Sequence, residues 1–318
     1  MNPTPIDVLI RQIRLEAADI HSFELEAADG APLPPFTPGA HVDLDLPGRL
    51  RRSYSLYGGA AGRWHIAVKR EAAGRGASAW LHDVARVGQR LQAHAPVNDF
   101  ALDESAPASV LVAGGIGITP ILSMVERLAA IGRAWQLHYV ARDARAMAFR
   151  ERLQALAAAP GGELHLHFSA DNGRPDLRAI AAAAPAGAQL YACGPAPMLD
   201  DFAAAVAAAG IEPARCHVER FGAAQAPAAE GGFAVELARD GRVFQVPKGS
   251  SVLDVLLDHG VDVAYSCMQG ICGSCRVGVK AGVPEHRDEC LSDDERAANT
   301  AMMVCCSGAR SERLLLDL

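Results

Sequence analysis

No run of about 20 uninterrupted apolar residues occurs in this chain, because charged or helix-breaking positions cut every candidate span. The N-terminal MNPTPIDVLIRQIRLEAADI also lacks a basic segment leading into an apolar one. Neither a membrane helix nor a secretory leader is therefore expected, and a cytoplasmic protein is. Positive charge is in deficit as well: the formal net charge is -7 and the pI about 5.9, which argues against a nucleic-acid partner held by overall charge. Eight cysteines are too few for a disulfide scaffold in 318 residues, and no internal repeat is visible. Half the residues are hydrophobic and 21% are charged, so the chain can bury a core and is not disordered. At ~150 residues per domain its length predicts two domains, with room for a small third.

The pattern changes along the chain. Period-2 alternation in His41–Leu46, Arg52–Leu56 and Trp64–Val68 reads as half-buried strands, and many short strands without long helices predict a small antiparallel barrel over residues 1–105. From Ser109 onward an apolar strand, Val110–Ala113, is followed by a glycine turn, a helix from Pro120 to Ile131 and a strand at Gln136–Ala141. That is the repeat of a parallel α/β sheet, placed at residues 106–222. The alanine-rich stretch Phe202–Ala209 keeps helical spacing and reads as a packed helix. AAQAPAAEGG marks a linker at residues 223–231, and residues 232–318 form the third unit.

Six of the eight cysteines (Cys267, Cys272, Cys275, Cys290, Cys305 and Cys306) lie within 40 consecutive positions. The first three stand as C-x4-C-x2-C and Cys305 follows after 29 residues, the plant-type [2Fe-2S] ligand spacing. Gly270, Gly273 and Ser274 suit a tight loop aiming N–H groups at sulfide. Structural zinc, the plain alternative, usually arrives as two separated pairs and fits poorly. Cys306 is set aside on the expectation that neighbours on a strand point oppositely, and Cys290 is read as a small packed hydrophobe.

Two glycine turns suggest nucleotide chemistry. Gly114-Gly115-Ile116-Gly117-Ile118-Thr119-Pro120 follows a buried-type strand and opens a helix, where backbone N–H groups can meet a pyrophosphate; its glycines would equally serve a turn that merely needs positive φ. Cys193-Gly194-Pro195-Ala196-Pro197-Met198 follows another apolar strand, expected at the same edge of the sheet. In the N-terminal unit, Arg52-Ser53-Tyr54-Ser55 offers a cation, an aromatic plane and hydroxyls, with Arg52 and Tyr54 sharing a strand face. Gly74 to Ser78 precedes a helix and makes a second phosphate cradle.

Arg52-x-Tyr54-Ser55, the Gly74–Ser78 turn, GGIGITP, CGPAPM, His217-Val218-Glu219-Arg220-Phe221 and the terminal cysteines occur in this order. In that order the chain resembles the reductase components of Rieske-type aromatic oxygenases, in the phthalate dioxygenase reductase and vanillate demethylase reductase group. The resemblance covers nearly the whole chain, including Glu285-His286-Arg287-Asp288 and Leu291-Ser292. Near the last cysteine the group usually has Cys-x-Ser-Arg, whereas this chain has Cys305-Cys306-Ser307-Gly308.

What the resemblance implies is a multidomain fold: a flavin-binding antiparallel β-barrel, a nicotinamide-binding α/β domain and a C-terminal β-grasp ferredoxin domain. It implies FMN, NADH and a [2Fe-2S] cluster, a transient oxygenase partner and a monomer. Arg52, Ser53, Tyr54, Ser55, Val68, Lys69, Gly76, Ala77 and Ser78 are the implied FMN residues, with Phe221 over the other flavin face. Thr119 would stand where flavin and nicotinamide meet. Gly115, Gly117, Ile118, Cys193, Gly194, Pro195 and Met198 are implied for the dinucleotide, and Cys267, Cys272, Cys275 and Cys305 for the irons. Tyr54, Ser55, Thr119, Cys193 and Phe221 are the implied catalytic set. Arg142 and Asp171 bear on coenzyme choice: Arg142 could attract a 2′-phosphate, whereas the acids Asp143 and Asp171 would repel one, and the family tips the expectation to NADH. Electrons are expected to run from NADH through FMN and cluster to an outside acceptor. No acid–base dyad is needed, and His41, His65 and His94 are read as surface or packing residues. An acidic run of Glu285, Asp288, Glu289, Asp293, Asp294 and Glu295 is either a solvated face or a steering face for the oxygenase. Other readings are the same chassis serving a carnitine-type or haem monooxygenase, a redox-sensing flavoprotein, and a zinc-stabilised binding protein.

Overall fold

The computed structural model describes residues 5–47, 50–59, 62–71, 76–221, 232–265, 270 and 273–318. It divides into two compact units, Met1–Phe221 and Gly222–Leu318. The expected linker at 223–231 lies outside the described residues.

The first unit begins with a closed six-stranded barrel. Its strands are β1 (Ile6–Ala17), β2 (Ile20–Ala27), β3 (His41–Leu46), β4 (Leu50–Gly58), β5 (Trp64–Lys69) and β6 (Arg90–Ala93), in the order β1-β2-β5-β4-β3-β6. Alternation sorts each strand: Val42, Leu44 and Leu46 point into a core shared with Leu56, Ile66 and Val68, while Asp43 and Asp45 point out. Helix α1 (Ala77–Asp83) follows β5 and packs Ala77 and Leu81 against that core.

The same unit continues as a parallel sheet of β7 (Ala108–Gly114), β8 (Ala134–Ala141), β9 (Gly162–Phe168), β10 (Gln189–Gly194) and β11 (Cys216–Arg220), in the order β11-β10-β7-β8-β9. β7, β8 and β9 progress in one direction and β10 and β11 in the other. The direction of winding therefore reverses between β7 and β10, and ligands bind at the carboxyl ends of strands at such a point. Helices α2 (Ile118–Ala130), α3 (Arg150–Ala157), α4 (Ser169–Asn172), α5 (Leu177–Ala182) and α6 (Ala196–Ala208) connect the strands. α2 is buried from Ile118 to Val125 and lies close to β4 of the barrel; the backbone N–H of Gly39 donates to Ser123 Oγ at 3.1 Å across that contact.

The second unit is a five-stranded mixed sheet, β13-β12-β18-β14-β16, built from β12 (Phe233–Leu237), β13 (Val243–Val246), β14 (Arg276–Ala281), β16 (Ala301–Met303) and β18 (Arg313–Leu316). β12 and β18 run parallel, and their neighbours are antiparallel. Helix α7 (Val252–Asp258) buries Val252, Leu253, Val255 and Leu256 against the sheet, with Ser251 Oγ capping it by accepting from Asp254 N at 3.0 Å. This is the β-grasp arrangement. A two-stranded ribbon, β15 (Pro284–Glu285) with β17 (Gly308–Ala309), and helix α8 (Asp293–Ala298) complete it.

Candidate functional site

Both glycine turns sit at the switch point. Cys193 pairs in register with Ala113, so the ends of β7 and β10 are neighbours. Gly115 has φ +55, a left-handed conformation, and a Cβ there would meet nothing within 4 Å. Gly117 has φ -60, and a Cβ there would fall 2.2 Å from the Cys193 carbonyl oxygen. Positive φ thus explains only one of these glycines, and close backbone approach explains the other. Gly114 and Gly194 repeat the second pattern: a Cβ on Gly114 would lie 2.7 Å from Pro195 Cδ, and one on Gly194 would lie 2.6 Å from Met198 Cε. The two motifs are pressed together side chain to backbone. Ile118 and Thr119 open α2 at this contact, and Ile118 N donates to Gly115 O and Ile116 O within the turn. The Thr119 hydroxyl donates to Ile116 O at 3.0 Å and so closes its own turn.

β4 brings the flavin candidates to the same region. Tyr54 packs on the barrel core, and burial raises its hydroxyl pKa. On the opposite face, Ser53 Oγ donates to Asp43 at 2.5 Å, and Ser55 is 5% exposed. Ser55 Oγ has no hydrogen-bond partner among the described residues. A buried hydroxyl in that position costs about 1–3 kcal/mol unless something bonds it, so Ser55 fits a polar ring edge brought by a cofactor. Val68 is buried at the end of β5 and its carbonyl accepts from His82 Nε2 at 2.8 Å, while Lys69 pairs with Glu71 at 3.1 Å. Gly76, at φ +97, precedes Ala77 at the start of α1, and Ser78 Oγ accepts from Glu71 N at 3.1 Å. Gly74 and Arg75 lie outside the described residues. His41 is buried, while His65 and His94 pair on the barrel wall with Glu24 (3.3 Å) and Asp45 (2.9 Å).

Cys193 lies fully buried opposite Glu219 in the register of β10 and β11, its Sγ 3.9 Å from Glu219 Oε2. Phe221 follows the end of β11 and is 38% exposed. Sequence reasoning quoted Glu219 within its motif without giving it a role. Burial raises its carboxyl from an ordinary 4.5 to about 8 and also raises the Cys193 thiol. Glu219 therefore holds its proton at neutral pH. Between 4.5 and about 8 the unfolded chain has released that proton and the folded chain has not, so stability declines as pH rises through this window and levels above it. Tm of the flavin-free protein, followed from about pH 5 to 9, should show this fall, and Glu219→Gln should flatten it; an unchanged slope in Glu219→Gln would place the titration elsewhere.

Arg142 is exposed and pairs with Asp143 at 3.3 Å. β9 ends at Phe168, and Asp171 stands exposed on the short helix α4. A cavity of about 590 Å³ walled by Tyr57, His65, Phe149 and Arg152 lies behind the barrel, and none of the candidate residues lines it. On its wall Arg152 pairs with Glu126 and His65 with Glu24.

In the second unit Cys275 and Cys305 are both buried in one core, and Val304 N donates to the Cys275 carbonyl at 3.2 Å. Cys267 and Cys272 lie outside the described residues. Two thiols buried in one core, with left-handed Gly270 and Gly273 preceding Cys275 in the chain, suit a thiolate-bound cluster. Two expectations change and one is extended. Cys305 and Cys306 stand on a turn after β16, so strand alternation does not separate them, and Cys306 Sγ contacts Met303 O (3.8 Å) and Ser307 Oγ (3.9 Å). Cys290 packs against the core as expected and also donates its thiol to Asp288 at 3.7 Å. The acidic run is not one face: Asp288 is buried, Glu285 is paired with Arg287, Glu295 caps α8 and bonds Arg276 at 2.8 Å, and Asp293 and Asp294 are exposed. The space where a side chain at Gly308 would begin is bounded by the Arg287 guanidinium, 3.1 Å from a Cβ there. A basic group therefore reaches that position from position 287 in place of 308.

A closed barrel, a switch-point α/β sheet and a cysteine-bearing β-grasp unit in this order define a modular flavin and iron–sulfur reductase. The family described as 2Fe-2S iron-sulfur cluster binding domain matches residues 235–310, and that described as dimethylamine monooxygenase subunit DmmA-like, N-terminal domain, matches residues 89–216. The chain is 52% identical to phenoxybenzoate dioxygenase subunit beta of Ectopseudomonas oleovorans, over 99% of this chain and 98% of that one. It is 41% identical to vanillate O-demethylase oxidoreductase of Pseudomonas putida, over 98% of this chain and all of that one. The solved structure titled phthalate dioxygenase reductase, a modular structure for electron transfer from pyridine nucleotides to [2Fe-2S], superposes with a TM-score of 0.83 at 37% identity, covering 99% of this chain and 98% of that one. The chain belongs to the phthalate dioxygenase reductase and vanillate O-demethylase reductase family, and is an oxidoreductase with flavin and [2Fe-2S] electron-transfer centres. No helix among the described residues is long and apolar enough to cross a membrane.

Proposed function

We propose that this chain is the NADH-dependent reductase component of a Rieske-type oxygenase system, with the oxygenase as a transient partner acting on an aromatic or small organic substrate. The observation that carries this reading is the meeting of GGIGITP and CGPAPM at the switch point, beside the strand that presents Ser55. FMN, when bound, supplies the conversion between hydride and single-electron chemistry. In this reading Arg52, Gly76, Ala77 and Ser78 hold its phosphate, Tyr54 lies against its ring, Ser53 braces β4 through Asp43, and Val68 and Lys69 line its edge. Ser55 Oγ donates to the ring, and Phe221 covers the exposed face and excludes water. Gly115, Gly117, Ile118, Thr119, Gly194, Pro195 and Met198 shape the dinucleotide cradle, while Cys193 and protonated Glu219 close its floor. Cys267, Cys272, Cys275 and Cys305 hold the irons. Residues 1–105, 106–222 and 232–318 are the three functional modules.

NADH is the coenzyme this geometry favours. Arg142 is three-quarters exposed and already held by Asp143, and an exposed pair of that kind is worth about 0.2–1 kcal/mol, too little to anchor a dianion beside Asp143 and Asp171. Steady-state reduction of an added acceptor with each coenzyme tests both points. Turnover with NADH, at a kcat/KM at least about tenfold above that with NADPH, is expected, and the reverse preference would overturn the assignment of Arg142 and Asp171.

A further inference from the structure

We propose that Asp288 is a positioning residue for the iron–sulfur ligand loop, joining the arm between Cys267 and Cys272 to the turn that carries Cys305. This rests on the four-cysteine ligand assignment above. Its side chain is fully buried in a segment that reads from sequence as one acidic surface run. Each carboxylate oxygen is used. Oδ2 accepts from Leu291 N at 2.9 Å and from Cys290 Sγ at 3.7 Å, and Oδ1 accepts from Ser307 Oγ at 3.4 Å, two residues beyond Cys305. His286 Nδ1 lies 3.8 Å from Oδ1, and Arg296 Nη2 donates to the Asp288 carbonyl at 2.5 Å.

The second half of the connection is backbone. Glu289 N donates to Gly270 O at 2.9 Å, and Gly270 is buried at φ +74 directly against Asp288. A Cβ on Gly270 would meet Asp288 Cα at 3.1 Å, Asp288 Cβ at 3.2 Å and Cys306 Sγ at 2.5 Å. Asp288 therefore sets how near the Gly270 arm can come to the Cys305–Ser307 turn. Without its carboxylate, the Leu291 N–H and the Ser307 hydroxyl lose their acceptors in a buried place, and buried donors without acceptors drive local rearrangement. Groups that orient metal ligands commonly change metal retention by 10–100-fold when removed.

The test uses the full-length holoprotein and compares wild type, Asp288→Ala, Asp288→Asn and the exposed-site control Asp293→Asn. The readouts are iron per chain, FMN per chain, the rate of iron release to a chelator, and the EPR spectrum of the dithionite-reduced protein. Asp288→Ala should release iron about tenfold or more faster than wild type with FMN content unchanged. Asp288→Asn is isosteric and still accepts from Leu291 N, so it should hold iron within about threefold of wild type, with altered EPR g-values. Asp293→Asn should match wild type in all four. Wild-type release and spectrum in Asp288→Ala, or equal losses in Ala and Asn, would overturn the positioning role. A wild-type protein without a [2Fe-2S] signal would overturn the ligand assignment itself, before any variant is compared.

Discussion

Cys305→Ser should strip the protein of its iron and bring electron delivery to an outside acceptor down to background, while Cys306→Ser should keep both. Spacing puts 29 residues between Cys275 and Cys305, the plant-type interval. Packing agrees: Cys305 is buried beside Cys275, whereas Cys306 is only half-buried and spends its sulfur on Met303 O and Ser307 Oγ. Because both stand on one turn, the choice rests on spacing and on burial. Reduction of the flavin by NADH should proceed at its wild-type rate in both variants under anaerobic conditions, since every flavin and dinucleotide candidate belongs to the first unit. Iron analysis with stopped-flow flavin bleaching checks this, and iron loss in Cys306→Ser alone would move the fourth ligand to position 306.

Local patterning made the strands legible, and long-range contact decided most of what it missed. His41–Leu46 alternates polar and apolar residues, and one side of it does face the barrel core. Closure of that barrel depends on β6 pairing with both β1 and β3, which no window of neighbouring residues records. Glu219 reads from sequence as one more acid on a strand, and its raised carboxyl pKa comes from the burial that pairing with β10 brings. Asp288 is hidden in a run of acids for the same reason: charge patterning sees composition, and only the fold separates the buried member from the solvated ones. Strand alternation does not separate Cys306 from Cys305, because the chain turns there, and the 29-residue gap still favours Cys305.

The same distinction between local and long-range demands separates Gly115 from Gly117. Gly117→Ala should be strongly damaging, and Gly115→Ala a mild change. At Gly115 the added carbon enters open space, and the cost is that of placing an L side chain at φ +55, about 1 kcal/mol. At Gly117 the backbone is ordinary helix, yet the methyl would lie 2.2 Å from Cys193 O, 2.4 Å from Cys193 C and 2.8 Å from Gly194 N. These are main-chain atoms of β10, a central strand locked by parallel pairing to β7 and β11, so they cannot step aside as a flexible side chain would. The two turns must part, at about 3 kcal/mol or more, or the chain must fold without the cradle. KM for NADH should accordingly rise at least about tenfold in Gly117→Ala, with FMN loss on dilution, while iron per chain stays at the wild-type value because the cysteine unit is untouched. Equal KM values for Gly117→Ala and wild type would show that the contact between GGIGITP and CGPAPM does not shape the dinucleotide site.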